Sequence, residues 1–451
     1  MTRLPSARSL SVAASLAAGT LILGALSAPD ADAAPEATCA GETATVVGKP
    51  RAWKLYGTEG RDVIVTNGAE WVEALGGDDL VCVTGDTRTV IAGTGADDVR
   101  NLQLAGTLPR GTSMSAHLGP GSDTYLGGPD ADFVFADDDF PGERADRDDL
   151  DVVRTGAGND GVASGRPYSR LVDTIELGSG RDLAFLDALS GAPSFSLSGG
   201  SGRDMIVIAR EAKGALLKAD WVFDNRSSAG IATADGEAAL NWTSFERFVL
   251  EPRFSSTRFY GGDSDERVSA MTLREADLGA GDDVIEYTMA HPRRSVLRGG
   301  PGSDRFVTHF QDEQAECLGT ATVRLAAGTY VCDDDPAYRA SLDGFEGVRI
   351  AAGRVDIAGS RRANTILVHA RCGGTVRAGY GADRVTIRRP RYGCRPVLDW
   401  RPIRVDGGPG DDELVGWIRR DVLIGGPGRD SADGRADVDR CVAERRVSCE
   451  E

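Results

Sequence analysis

Apolar residues in this chain come in short bursts, such as VIV at 63–65, LVCV at 80–83, MIV at 205–207 and RFV at 305–307. Each burst directly follows an aspartate, and that aspartate closes a glycine-rich stretch. Other short apolar segments, RTVIAG, SFSLSGG, SVLRGG, PIRVDGG and DVLIGG, lead into the same kind of stretch. Segments of this length and β-favouring composition, bounded by Gly and Pro, predict a strand, a glycine turn and a second strand, with alternate side chains turned inward.

The run LGPGSDTYLGGPDADFVF at 118–135 shows the unit doubled, with Asp123 and Asp132 each at the sixth place of a nine-residue half. The same frame recurs in GTEGRDVIV from Gly57, ALGGDDLVC from Ala74, AGTGADDVR from Ala92, TGAGNDGVA from Thr155, LGSGRDLAF from Leu177 and GGSGRDMIV from Gly199. It returns in LGAGDDVIE from Leu278, GGPGSDRFV from Gly299, AGYGADRVT from Ala378, GGPGDDELV from Gly407 and GGPGRDSAD from Gly425. The intervals are 17 and 18 residues at 62, 79 and 97, 22 and 22 at 160, 182 and 204, and 18 from 412 to 430, so the dominant interval is about two nonapeptides. That spacing is the length of one coil made of two strands and two turns, so it predicts a solenoid whose coils stack about 4.8 Å apart.

Composition agrees, since glycine is 58 of 451 residues and aromatics are only 6%. A large conventional core is not expected from so few aromatic side chains. Stacked coils would place each aspartate over the next. Two unit charges about 5 Å apart repel by on the order of 3 kcal/mol at an effective dielectric near 20. A hard cation reverses that sign, and calcium takes about six to eight carboxylate and carbonyl oxygens. The metal-free alternative is that each aspartate caps its own turn through a side-chain to backbone bond.

These nonapeptides resemble the calcium-binding repeats of RTX proteins, GGxGxDxUx, in a secreted actinobacterial form. The resemblance implies an all-β fold, a right-handed parallel β-helix or β-roll solenoid, with calcium (Ca2+) bound between stacked turns. It makes the sixth-place aspartates the side-chain ligands: Asp62, Asp79, Asp97, Asp123, Asp132, Asp160, Asp182, Asp204, Asp283, Asp304, Asp383, Asp412 and Asp430. The sequence departs from that family where YGGDSDERV from Tyr260 and GSRRANTIL from Gly359 are degenerate, and no clear copy lies in 208–256. The expected organisation is a signal peptide over 1–33, a lead-in with Cys39 over 34–56, and a first repeat half over 57–207. Degenerate coils or a linker over 208–256, a second half over 257–433 and a cysteine-containing tail over 434–451 complete it.

The leading segment carries Arg3 and Arg8, an apolar run from Leu10 to Ala28 and then Ala31-Asp32-Ala33, which reads as a secretory signal cleaved after Ala33. No later run is long enough to span a bilayer. The net charge of −18 makes cations better partners than nucleic acid. Eight cysteines with no CxxC pair fit an oxidising compartment. Proximity along the chain suggests Cys317 with Cys332, Cys372 with Cys394, Cys441 with Cys449 and, by elimination, Cys39 with Cys82, one of about 105 possible pairings.

Enzyme signatures are sparse. The four histidines form no HExxH, no GxSxG elbow is present, and the GGDSD around Ser264 has no histidine after His369 to serve as its partner. The expectation is therefore a non-catalytic calcium-binding protein. The alternatives are a calcium-dependent surface adhesin or a polysaccharide lyase or epimerase working on a coil face. For the last, and for an extracellular glycan partner, the run RRPRYGCRPVLDWRPIR at 388–404, with Tyr392 and Trp400, is the best surface. The favoured reading of that run is a disulfide-tied loop whose arginines pair with neighbouring acids.

Overall fold

A strand of three or four residues offers few backbone groups, so it depends on being paired along both edges. The computed structural model describes residues 36–137, 149–165, 171–187, 195–208, 218–250, 256–270, 273–287, 294–308, 317–333, 339–388, 394 and 401–450. These contain strands and turns with no α-helix, and from Thr38 onward they form one compact unit. Pairing skips one element: most strands bond, parallel and in register, to the second strand after them. Two series result.

The first series opens with Val46–Val47, Val63–Val65, Leu80–Val83, Asp98–Asn101 and Thr124–Leu126. It goes on through Val152–Arg154, Thr174–Glu176 and Ser196–Ser198. The second series runs from Lys54–Tyr56, Trp71–Glu73, Thr89–Ile91 and Met114–His117 to Asp132–Phe135 and Gly161–Ser164. From there it continues without reversal to Arg445–Val447. The segments expected to enter and leave the glycine turns are strands of these two series, and the apolar side chain two places after each turn aspartate is inside. Ile64, Val81, Val99, Val162, Ile285, Val385 and Leu414 are all fully buried.

Only the first series is interrupted. Within 208–256, Asp220–Asp224, Ala229–Ala234 and Glu237–Thr243 form an antiparallel meander. One edge of it meets Ser198 and the other passes the pairing on to Ser256–Tyr260. A second meander, Cys317–Arg324, Thr329–Cys332 and Arg339–Asp343, is inserted in the same way between Arg294–Arg298 and the long strand Phe345–Ser360. That long strand serves both series, its first half pairing with Thr365–Ala370 and its second with Gly374–Gly379. Where one series gains strands that the other lacks, bulky side chains fill the mismatch. Trp221, Phe223, Trp242, Phe248 and Phe259 pack at the first meander, and Tyr287, Phe306, Tyr330 and Phe345 at the second.

The four disulfides pair as proximity along the chain suggests: Cys39–Cys82, Cys317–Cys332, Cys372–Cys394 and Cys441–Cys449. The first ties the hairpin Thr38–Thr43 over the start of the first series. The 434–451 segment, expected as a tail, instead adds Arg440–Val442 and Arg445–Val447 to the sheet. The signal peptide expected over 1–33 lies outside the described residues.

Successive turns touch through their backbones. Gly178 and Gly200 have φ of 96° and 93°, and a Cβ on them would lie 2.0 and 1.9 Å from the carbonyl oxygens of Gly156 and Gly178. Gly200→Ala is therefore expected to cost more than about 2 kcal/mol in urea unfolding, by left-handed strain plus a backbone clash. Gly236→Ala, at similar φ but with open space around it, should cost only about 1 kcal/mol.

Candidate functional site

Every one of the thirteen turn aspartates is at most 4% exposed, so the carboxylates lie inside the stack of turns. The structure brings them together in two stacks, where the sequence reading placed each aspartate over the next in chain order. Asp62, Asp79, Asp97 and Asp123 precede strands of the first series; Asp132, Asp160, Asp182, Asp204, Asp283, Asp304, Asp383, Asp412 and Asp430 stand at the starts of strands of the second. Asp123 and Asp132 are nine residues apart because they serve opposite stacks.

A backbone amide joins each rung to the next. The N–H of Asp62 donates to Oδ1 of Asp79 at 2.7 Å, that of Asp79 to Asp97 at 2.8 Å, and that of Asp97 to Asp123 at 2.7 Å. In the second stack Asp132 donates to Asp160, Asp160 to Asp182 and Asp182 to Asp204, at 2.8–2.9 Å. Asp283 donates likewise to Asp304, Asp383 to Asp412 and Asp412 to Asp430. A charge-assisted bond of this kind is stronger than a neutral one. It also sets one carboxylate over one amide, which fixes the register of the turns. The fifth place supplies a reciprocal clasp in the opposite direction: Asp78 accepts from the N–H of Ala96, Asn159 from Arg181, Asp282 from Ser303 and Asp411 from Arg429.

The second carboxylate oxygen divides the set. In Asp62 it accepts from the N–H and hydroxyl of Thr58, while Thr45 donates to Oδ1. In Asp132 it accepts from the N–H of Gly128, and Asn101 donates to Oδ1. These two cap their own turns, as the metal-free alternative has it. In Asp79, Asp97, Asp123, Asp160, Asp182, Asp204, Asp283, Asp304, Asp383, Asp412 and Asp430, Oδ2 is buried and has no hydrogen-bond donor among the described residues. It is tucked under its own turn: a Cβ on Gly299, Gly407 or Gly425 would lie 2.5, 2.2 or 2.3 Å from Oδ2 of Asp304, Asp412 or Asp430.

Burial without a donor pushes these carboxyls up. The acid of Asp79 rises to about 6, that of Asp97 to about 7 and those of Asp123 and Asp283 to about 8, through desolvation first and neighbouring carboxylates after it. Asp62 is held low by its donors even though it is buried. The chemistry of the site is thus a row of hard oxygens with uncompensated charge, lined by glycine. Those donors fit a hard divalent cation, with a carboxylate from each rung and backbone carbonyls as the remaining ligands. Among the described residues, the one convergent group of three His, Cys, Asp or Glu ligand atoms is Cys317, Cys332 and Asp333, whose cysteines are joined to each other. Among the described residues, no set of three aspartates converges in that way.

No family model and no curated protein matches this chain.

Several rungs escaped the sequence pattern. Asn364 holds the sixth place of its degenerate turn and Glu266 stands one residue after the sixth place counted from Tyr260, and their N–H groups donate to Asp383 and Asp283. Asp151 and Asp173 extend the first stack beyond Asp123. Asp421 and Asp439 form a pair late in the chain, where GWIRRD and GRADVD keep the first and sixth places and lose the middle glycine. Glu246, Glu346, Glu444 and Glu450 accept from Asp204, Asp304, Asp430 and Asp439 through Oε2. Three of these glutamates follow a residue of positive φ by two places, Ser244, Gly344 and Ser448. A longer side chain there replaces the reach of a glycine turn, a signal legible only once the rung is known.

Because the folded carboxyls titrate above the unfolded value near 3.9, the folded chain holds more protons between about pH 4 and pH 8, and stability falls as pH rises through that window. In chelator, the urea midpoint is expected to drop from pH 5 to pH 8. Asp123→Asn keeps the amide acceptor, as Asn364 does naturally, and should flatten that slope. Asp123→Ala should cost about 1–3 kcal/mol at every pH by leaving the Asp97 N–H unpaired.

Proposed function

We propose that this protein is a secreted, non-catalytic calcium-binding repeat protein, its two strand series wound as a right-handed parallel β-helix or β-roll. Calcium sits against the stacked glycine–aspartate turns and completes their order. The observation that carries this reading is the row of buried Oδ2 atoms without donors, from Asp79 to Asp123, Asp160 to Asp204, Asp283 to Asp304 and Asp383 to Asp430. A native fold rarely leaves one such atom unsatisfied, and repetition at equivalent places points to a missing partner of a single kind. A divalent cation supplies what each carboxylate lacks. The four disulfides and the leader-like N-terminal sequence support export to an oxidising compartment.

The amide-to-carboxylate bonds favour a second reading, in which the rungs stand without metal and the array is purely structural. Equilibrium dialysis of chelated protein against calcium separates the two. One or more ions per chain are expected, with far-UV β signal lost in chelator and restored by calcium. The double variant Asp182→Asn with Asp204→Asn should bind fewer ions and keep its fold. Less than one ion per chain, with an unchanged spectrum, would leave the metal-free reading in place.

A further inference from the structure

The two ends of the strand series are finished differently. Proteins built of stacked repeats need terminal units with a polar outer face to stay soluble, and an open strand edge is blunted by charge. The late end follows that rule. Its last strands, Arg440–Val442 and Arg445–Val447, pair along one edge only and carry the exposed Arg440, Arg445 and Arg446. Glu444 and Glu450 close the rungs there, Cys441–Cys449 ties the last strands, and the large apolar side chains exposed nearby are valines. The other surface named from sequence, 388–404, lies mostly outside the described residues, Tyr392 and Trp400 included.

The early end departs from the rule. Val46–Val47 and Lys54–Tyr56 are the first strands of the two series, and each pairs on one side only. Val46, Ala52 and Leu55 pack against the core but stay partly exposed, while Val47, Trp53 and Tyr56 are 46, 65 and 52% exposed. The nearby hairpin Thr38–Thr43 is used elsewhere, since Cys39 packs on Val63, Leu80 and Cys82. Lys54 does little to blunt the edge: its ammonium is 2.8 Å from Glu73 and 5.4 Å from the ring centres of Tyr56 and Trp71. The Trp53 carbonyl accepts from the N–H of Trp71, and the N–H of Gly57 donates to the Glu73 carbonyl. By alternation the backbone groups of Lys54 and Tyr56 face the open edge. Asp62 has protein donors on both oxygens, so the order of this end does not rest on calcium.

We infer that the early end is a dimerisation surface whose occupant is the same end of a second copy of this chain. A two-fold axis across that end, perpendicular to the strands, sets Lys54–Tyr56 antiparallel to its copy about Leu55. The outward backbone groups of Lys54 then bond those of Tyr56 in the second copy, and the Lys54 ammonium meets that tyrosine ring instead of a second ammonium. The same operation lays the turn 48–53, with exposed Lys49 and Arg51, over the turn 57–62 of the second copy, where Glu59 is exposed and Arg61 is matched by Glu42. Opposite charges thus rim an apolar centre of Val47, Trp53, Leu55 and Tyr56. The patch covers on the order of 500 Å² on each copy, the lower limit for a specific interface, so the dimer is weak and concentration-dependent. Joining the early end to the late end would instead give an open filament.

Sedimentation velocity of the exported chain in calcium, over a concentration series, reads the association. A monomer–dimer equilibrium with a micromolar Kd is expected, and it should stop at the dimer. Tyr56→Lys sets a lysine opposite each Lys54 and should raise Kd at least tenfold with circular dichroism unchanged. Leu55→Cys should give a reducible dimer, because the axis brings position 55 against itself, and Val447→Cys at the late end should not. A chain still monomeric at about 1 mM, assembly beyond the dimer, or a natively folded Tyr56→Lys variant that dimerises as before would each overturn the inference. So would a monomer that pellets with lipid vesicles or an insoluble glycan and loses that binding in Trp53→Ser, since the end would then belong to a different partner.

Discussion

The bond between one rung's backbone amide and the next rung's carboxylate is what the rest of the architecture rests on. A turn has amides that no strand partner can take, and burying them unpaired would cost about 1–3 kcal/mol each. Placing an aspartate, or in a few turns a glutamate, at the end of the turn lets the carboxylate of one turn accept the amide of the turn before it. The strands that follow are then already aligned, so three or four residues are enough to extend each series. The fifth-place clasp, running the other way through Asp78, Asn159, Asp282 and Asp411, secures the same turns from their exposed side.

That solution creates its own difficulty. An amide quiets one oxygen and leaves the second in a glycine-lined recess, where burial opposes its charge. The ends of the stacks show what full compensation looks like, since Asp62 and Asp132 have protein donors on both oxygens. Interior rungs have no such neighbours. A protonated carboxyl or a bound cation are the two remedies open to them, and they respond to pH in opposite senses.

Departures from the repeat follow the same logic. Each antiparallel meander enters the first series while the second carries on, and the second-series rung that bridges each gap is a glutamate, Glu246 or Glu346. The rung is kept and the turn is shortened. Aromatic side chains gather at those two places, so a chain poor in them spends them where layers of unequal strand number must be filled. The disulfides act at comparable points: Cys39–Cys82 at the opening of the first series, Cys317–Cys332 across a meander and Cys441–Cys449 at the final strands.

Strand and turn positions, the inward apolar residue behind each aspartate, and the disulfide partners were legible from the residues alone, because each is set by local pattern or by short separation along the chain. The sixth place of GGxGxD was legible too, as was its need for a partner. What the sequence could not carry was the identity of that partner. Asp123 and Asp132 look like neighbours and serve opposite stacks, whereas Asp204 and Glu246 are 42 residues apart and share a bond. Glu266, Asn364, Asp421 and Glu444 look like failures of the motif and prove to be rungs. Repetition along the chain determined the strands and turns, and only the folded stack decided which turn pairs with which, since register across the strand series is a property of backbone pairing between residues that sequence order does not bring together.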